Sequence, residues 1–402
     1  MTEPGLVLRV AALGDGLTAD GRHVALAAPG DVLLPDGTLR HGPNHVEPPC
    51  IHFPQCGGCQ LQHLSDAAYT EFVAARVAGA LMGQGVVPGL LAEPHISPPE
   101  ARRRATLKAV RGGKGITIGF AQSGSHQIVD MHMCVLLHPA LFGLVAPLRK
   151  LLAVQGVMGK AATIVMTLAD QGVDLMLEGV TAEGLAATER LIDFAGTQRL
   201  ARLILDEGEG STMTLWEPEP VTVTFGGLPV ALPPGAFLQA TADGEAALVA
   251  EVVAAVGDAP TVADLFAGVG TFALSLARGR KVYAAEASRD ALAALKSGGD
   301  RLPGRVFVEH RDLFRRPLVP AELNRFGAVV IDPPRAGARE QVIHLAAATV
   351  PVIAYVSCNP SSFSRDAATL IEAGYVLDRV RPVGQFRWSS HVELVGTFRR
   401  PS

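Results

Sequence analysis

The sequence predicts an α/β protein: a Rossmann-like domain over residues 236–402, preceded by an α+β domain over 49–235 and a short β segment over 1–48. Three observations carry that prediction. The run Thr261-Val262-Ala263-Asp264-Leu265-Phe266 leads into Ala267-Gly268-Val269-Gly270-Thr271-Phe272, a strand feeding a glycine turn that opens a helix. A second strand, Lys281-Val282-Tyr283-Ala284-Ala285-Glu286, ends in an acid about 20 residues further on, where nucleotide-binding units place a carboxylate for ribose hydroxyls. Two apolar runs, Ala328–Ile331 and Val352–Val356, are each stopped by prolines, at Asp332-Pro333-Pro334-Arg335 and at Ser357-Cys358-Asn359-Pro360.

Composition frames the functional question. A chain of 402 residues, 48% of them hydrophobic, is long enough for two or three domains with real cores. No window approaches the uninterrupted apolar length of a membrane span, and the amino terminus lacks the parts of a signal peptide. A cytoplasmic enzyme with no membrane partner is expected. The net charge of -4 argues against a general nucleic-acid coat but leaves room for a local basic groove. Five unevenly spaced cysteines without an export signal point to metal or catalysis rather than to disulfides.

Along the chain, short strands are expected at Leu6–Val10, His23–Leu26 and Val32–Leu34, with turns at Gly14-Asp15-Gly16, Asp20-Gly21, Pro29-Gly30-Asp31 and Pro35-Asp36-Gly37. They suit either a small RNA-binding barrel or a cap on the next domain. Cys50, Cys56 and Cys59 follow, the last two separated by Gly57-Gly58, and Cys134 lies far downstream. Glycine tolerates the positive φ that a loop around a metal centre requires, and four thiolates suit zinc or an iron–sulfur cluster alike. His52, His63 and His132 read as surface or core residues rather than ligands. The Cys-x3-Cys-x2-Cys spacing of radical enzymes is absent.

Ser65-Asp66 predicts an N-cap, with Tyr69, Phe72, Val73, Val77 and Leu81 at helical spacing until Gly83. Residues 88–99, rich in proline, read as a linker. Arg102, Arg103, Arg104, Lys108, Arg111 and Lys114 alternate with apolar residues along a strand, a candidate phosphate track. Strand-like runs at Ala162–Met166 and Val173–Leu177 and a helix near Glu183–Phe194 complete an α+β domain without a catalytic motif of its own.

In the last domain Gly-x-Gly-x-x-Gly is incomplete, since Ala273 takes the third place. That tilts the ligand from NAD toward a cofactor without pyrophosphate, such as S-adenosylmethionine. Val308–Asp312 reads as a third strand, with Asp312 able to meet an adenine amino group. Cys358 stands at the carboxyl end of a strand, where open α/β sheets bind ligands and where a stabilised thiolate becomes a nucleophile. Two final strands, Gly374–Val380 and Val392–Phe398, predict a hairpin at the sheet edge. There Glu393 alternates with Val392 and Leu394, a pattern that favours an exposed acid over a base.

The combination resembles the RNA (uracil-5-)-methyltransferases, particularly their iron–sulfur-containing 23S rRNA branch. The resemblance runs from Cys50 to the carboxyl terminus. It rests on Cys-x5-Cys-Gly-Gly-Cys with distant Cys134, Asp-Leu-Phe-Ala-Gly-Val-Gly-Thr-Phe, Asp-Pro-Pro-Arg, Ser-Cys-Asn-Pro and His-Val-Glu. It implies a class I S-adenosylmethionine-dependent methyltransferase domain in which Gln239, Phe266, Glu286 and Asp332 contact S-adenosyl-L-methionine. It further implies Cys358 as nucleophile, Glu393 as base, and a [4Fe-4S] cluster on Cys50, Cys56, Cys59 and Cys134. The implied partner is RNA, in the first place 23S rRNA, and the enzyme is expected to act as a monomer. Arg335 stands where amino-group methyltransferases carry a stacking aromatic, which argues against adenine or glutamine N-methylation, and no second cysteine lies near Asp332 as in one type of cytosine-5 RNA enzyme, which favours uracil. The chain departs from the family at Thr241 (usually Asn), at Phe266 (commonly Tyr) and at Arg387-Trp388, which replace a Pro-containing turn. Its amino-terminal β segment is shorter than the family's RNA-binding barrel. Methylation of tRNA, and a non-catalytic metal-stabilised RNA-binding protein on the same fold, are the alternatives.

Overall fold

A computed structural model describes residues 5–113, 115–157, 161–206, 208 and 212–401. Its largest sheet contains seven main strands: β1 (Thr261–Leu265), β2 (Lys281–Glu286), β3 (Val306–His310), β4 (Ala328–Ile331), β5 (Val352–Ser357), β6 (Val376–Gly384) and β7 (Glu393–Arg399). Their spatial order is β3-β2-β1-β4-β5-β7-β6. The first five run parallel, and β7 inserts antiparallel between β5 and β6. The order reverses between β1 and β4, so a crevice opens at their carboxyl ends. The predicted strands all form, with β3 beginning two residues earlier than expected. β4 is buried throughout and β5 at every position after Val352, as continuous apolar runs in a covered sheet require.

The Cys358-Asn359-Pro360 junction shows how sequence makes a site. Asn359 is the N-cap of the helix Pro360–Glu372, its side chain accepting from the Ser361 N–H at 3.1 Å, and Pro360 occupies the first turn. The strand therefore ends, a helix starts at once, and Cys358 is left at the tip. Below it Tyr355 meets Phe363 edge to face at 5.3 Å, and its hydroxyl donates to Asp366 at 2.6 Å. Burying rings of this size contributes about 2–3 kcal/mol each.

The expected helix forms as Asp66–Met82, capped by Ser65, with Tyr69, Phe72, Val73, Val77 and Leu81 buried. These side chains share one core with Tyr355, Phe363 and Leu370. Residues 88–99 are not a free linker: Leu90–Leu91 and His95–Ile96 each pair parallel with β6 and cover the edge of the large sheet. The prolines only space two short edge strands, a position that tolerates missing donors.

A six-stranded sheet forms the second layer system, ordered Thr212–Trp216, Arg202–Asp206, Gly172–Glu178, Ala162–Ala169, Arg104–Gly112, Gly115–Gly119. Its core includes Leu107, Ile118, Leu148, Ile164 and Leu175. The amino-terminal segment makes two small antiparallel sheets, Val7–Val10 with Gly16–Thr18 and His23–Val24, and Val32–Leu33 with Leu39–Arg40. Gly16, read as a turn residue, is in a strand. Val10 and Ala28 of this segment are buried in the same core as Leu61 and Leu64.

Candidate active site

One cavity of about 730 Å³ lies at the carboxyl ends of β1, β2, β4 and β5, and Gln239, Phe266, Glu286, Asp332, Cys358 and Glu393 all line it. Residues far apart along the chain thus meet at the place where the strand order reverses.

Register explains the meeting of Cys358 and Glu393. β5 and β7 pair antiparallel with Ser357 opposite Leu394. That is the last pair of the ladder, so Cys358 and Glu393 are the next residues of the two chains, and both line the cavity. Glu393 is buried, 3% exposed, so its expectation as an exposed acid is corrected. Its alternation with Val392 and Leu394 is real, but β7 is an interior strand and both faces are covered. Burial, then the neighbouring Asp332, push the Glu393 carboxyl up to about 8, against a hydrogen bond from Gln385. Burial alone raises Asp332 to about 7. Burial, then Glu393 and Asp332, lift the Cys358 thiol to about 11, with Arg335 acting in the opposite sense. A carboxyl held close to neutral pH suits proton abstraction, and burial first, then the charge of Glu393 and Asp332, opposes ionisation of the thiol.

Elsewhere on the cavity wall, Phe266 adopts φ 63, a left-handed conformation rare for an aromatic residue. Its ring lies 5.3 Å from that of Phe314. Glu286 accepts from the Gly268 N–H at 2.9 Å and the Ser288 N–H at 2.6 Å, so the acid is fastened to the glycine turn. Gly270 has φ 106, and a Cβ there would stand 2.5 Å from Leu295. Asp312 also lines the cavity and accepts from the Phe314 N–H at 3.0 Å.

The four cysteines named as metal ligands converge: Cys50, Cys56, Cys59 and Cys134 line one pocket together with His52. Among the described residues, however, no group of three or more His, Cys, Asp or Glu is placed to hold a metal ion. The reason for Gly57-Gly58 is also corrected. Neither glycine has positive φ. Instead a Cβ on Gly57 would lie 2.7 Å from the Ala121 carbonyl oxygen, and one on Gly58 3.2 Å from the Phe120 ring. Close approach, not dihedral freedom, demands them. The same loop braces the catalytic side, since the Gln60 and Leu61 N–H groups donate to the Trp388 carbonyl at 2.8 and 2.9 Å. The Tyr69 hydroxyl donates to the Phe386 carbonyl at 3.2 Å.

The expected phosphate track is not free. Arg103 pairs with Glu245 at 2.5 Å and donates to the Gln239 carbonyl at 3.0 Å. Arg104 donates to the Leu238 carbonyl at 2.6 Å and lies 4.9 Å over the Phe237 ring. Arg102 donates to the Arg104 carbonyl at 3.0 Å, its guanidinium 5.6 Å from both Phe120 and Phe386. These arginines fasten the Gln239 stretch, because chain from the other domain crosses the face that alternation alone leaves open. Lys108 donates to Thr163 at 2.7 Å, and Lys114 lies outside the described residues. Sequence reasoning missed Phe314 and Gln385. The first was an isolated aromatic and the second a polar residue in a loop, neither with a local signal.

This geometry defines a class: an S-adenosylmethionine-dependent methyltransferase of the class I fold. Residues 305–400 match the family model described as tRNA (Uracil-5-)-methyltransferase. The chain is 50% identical to an uncharacterized RNA methyltransferase of Zymomonas mobilis, over 98% of this chain and 99% of that protein. It is 30% identical to a 23S rRNA (uracil(1939)-C(5))-methyltransferase of Halomonas elongata, over 96% and 88% respectively. The crystal structure of the Pyrococcus abyssi tRNA (uracil-54, C5)-methyltransferase with S-adenosyl-L-homocysteine has the same fold, with a TM-score of 0.74, 23% identity and 98% of each chain covered. The chain belongs to the RNA (uracil-5-)-methyltransferase family, enzymes that methylate RNA with S-adenosylmethionine.

Proposed function

We propose that this enzyme methylates C5 of a uridine in 23S rRNA, with Cys358 as nucleophile and Glu393 as base. The observation that supports the mechanism is that Cys358 and Glu393, each next to the last β5–β7 pair, line one cavity. The Halomonas relative's rRNA specificity supports the choice of RNA. Gln239, Phe266, Glu286 and Asp332 hold the cofactor, Glu286 at the ribose end. S-adenosylmethionine supplies an electrophilic methyl group on its sulfonium.

Uracil C5 is too weak a nucleophile to take that group unaided. Addition of the Cys358 thiolate to C6 generates an enolate and makes C5 nucleophilic. After C5 is methylated, Glu393 removes the C5 proton, the C5–C6 double bond re-forms, and Cys358 leaves as thiolate. Asp332, raised by burial, sits beside both residues.

Cys50, Cys56, Cys59 and Cys134 would hold a [4Fe-4S] cluster. Their fit rests on four thiol donors around one pocket with no carboxylate in its lining. No reaction step calls for an electron, so a cluster on these thiols would supply structural bracing alone, while Gln60 and Leu61 of the same loop hold the Trp388 carbonyl just before Glu393. The work divides among a capping segment 1–48, a cluster-bearing segment 49–235 and a methyltransferase segment 236–402, in a monomeric cytoplasmic enzyme.

Radiolabelled methyl transfer to ribosomal and transfer RNA lacking 5-methyluridine tests the substrate. Incorporation into tRNA alone overturns the choice of rRNA. Cys358→Ala should abolish both methylation and any covalent protein–RNA species. Glu393→Gln should instead accumulate a denaturation-resistant, methylated adduct. Uracil C5 methylation by Cys358→Ala would sink the mechanism.

A further inference from the structure

Gln385 follows β6 directly and is 2% exposed. Its Oε1 accepts from the Ala240 N–H at 2.8 Å and the Thr241 N–H at 3.3 Å. Backbone donors cannot change role, so they decide which end of this amide is oxygen. The Nε2 end therefore points the other way. It donates to Oε1 of Gln239 at 2.7 Å, and the pairing of Val383 with Glu393 across β6 and β7 brings the same amide close enough to the Glu393 carboxyl to favour its charged form. Three hydrogen bonds thus fix this buried amide.

The consequence passes to its neighbours. Because Oε1 of Gln239 is occupied as an acceptor, Gln239 turns its NH₂ toward the cavity it lines. A donor facing outward suits a carboxylate or carbonyl oxygen of a ligand. Glu393 is bordered by Asp332 and Cys358, both able to carry negative charge, and Gln385 supplies the opposing donor. The helix Ala242–Val256 packs directly against this side chain: a Cβ on Gly244 would stand 2.7 Å from the Gln385 Cβ. Thr241, where the family usually has Asn, brings no amide here. Its hydroxyl accepts from the Gly244 N–H at 3.1 Å and pairs with Ser97 at 2.8 Å.

We propose that Gln385 is a positioning residue whose single carboxamide holds Gln239 donor-outward for the cofactor and Glu393 in place for the C5 proton. The assignment rests on the function proposed above. It joins cofactor seat and base through one side chain, so both should fail together when its polarity is reversed.

The test is Gln385→Glu in the full-length enzyme. This variant keeps the size and the acceptor for Ala240, but turns the donor end into an acceptor. Calorimetry should show S-adenosyl-L-homocysteine bound about tenfold more weakly. The acid limb of the kcat/KM–pH profile on RNA should move up by about one pH unit, because a second carboxylate then faces Glu393. A merely structural role would lower activity by the same factor at every pH. If Gln385→Glu does not fold, Gln385→Met is measured on the same two readouts. Wild-type affinity for S-adenosyl-L-homocysteine with an unmoved acid limb, in a variant of unchanged Tm, overturns the proposal. A wild-type enzyme that methylates no uridine overturns the reaction instead, and the calorimetric arm still decides the link to Gln239.

Discussion

Replacing Glu393 by glutamine should stabilise the protein, and the gain should grow with pH. The carboxyl sits at about 8 in the folded protein against an ordinary 4.5. Unfolding releases it to ionise near its ordinary value, so between those limits the unfolded chain binds fewer protons than the folded one. Stability is therefore lost as pH rises from about 4.5 to about 8, and the full penalty is present above that. The gap corresponds to about 5 kcal/mol, an upper figure because water entering the cavity would lessen it. The introduced amide has similar size, so packing changes little. Urea unfolding of both proteins from about pH 4.5 to about pH 9 is the assay. The expected difference in unfolding free energy is near zero at the acid end, rises through neutrality and levels off above about pH 8. A constant difference, or one that shrinks with pH, would refute the reasoning. The base would then be solvated and in no need of its buried position.

Three further outcomes follow from the same geometry. Glu393→Gln should speed alkylation of Cys358 by iodoacetamide at about pH 8, read by peptide mass spectrometry, because a negative neighbour that raises the thiol is gone; an unchanged rate would mean the two do not interact. Glu286→Ala should weaken S-adenosylmethionine binding by about 1–3 kcal/mol in calorimetry, through lost charge-assisted contacts and a loosened Gly268 turn. Arg103→Ala should destabilise the fold by about 3 kcal/mol, since it strands Glu245, yet leave the salt dependence of RNA binding unchanged. A shallower salt slope would restore Arg103 to a phosphate track.

The sequence alone determined the parts whose physics is local. The β1 strand and its glycine turn, the acid ending β2, the Ser65 cap and the Cys358-Asn359-Pro360 junction all depend on neighbours within a few residues, so pattern reading reaches them. It also placed Asp332 and Cys358 at strand ends, where the crevice opens. Only the tertiary structure decided what covers a second face. Glu393 alternates like an exposed acid, but β7 lies between β5 and β6, and burial raises its carboxyl to about 8. Arg103 and Arg104 alternate like a phosphate track, but the Leu238–Gln239 backbone crosses their face and takes their donors. Leu90–Leu91 and His95–Ile96 look like a linker until β6 offers them an edge. Gln385 carries no local signal because its partners are 145 and 146 residues away along the chain. Periodicity reports which side chains share a face; contacts between distant segments set the dielectric and the donors that each face meets.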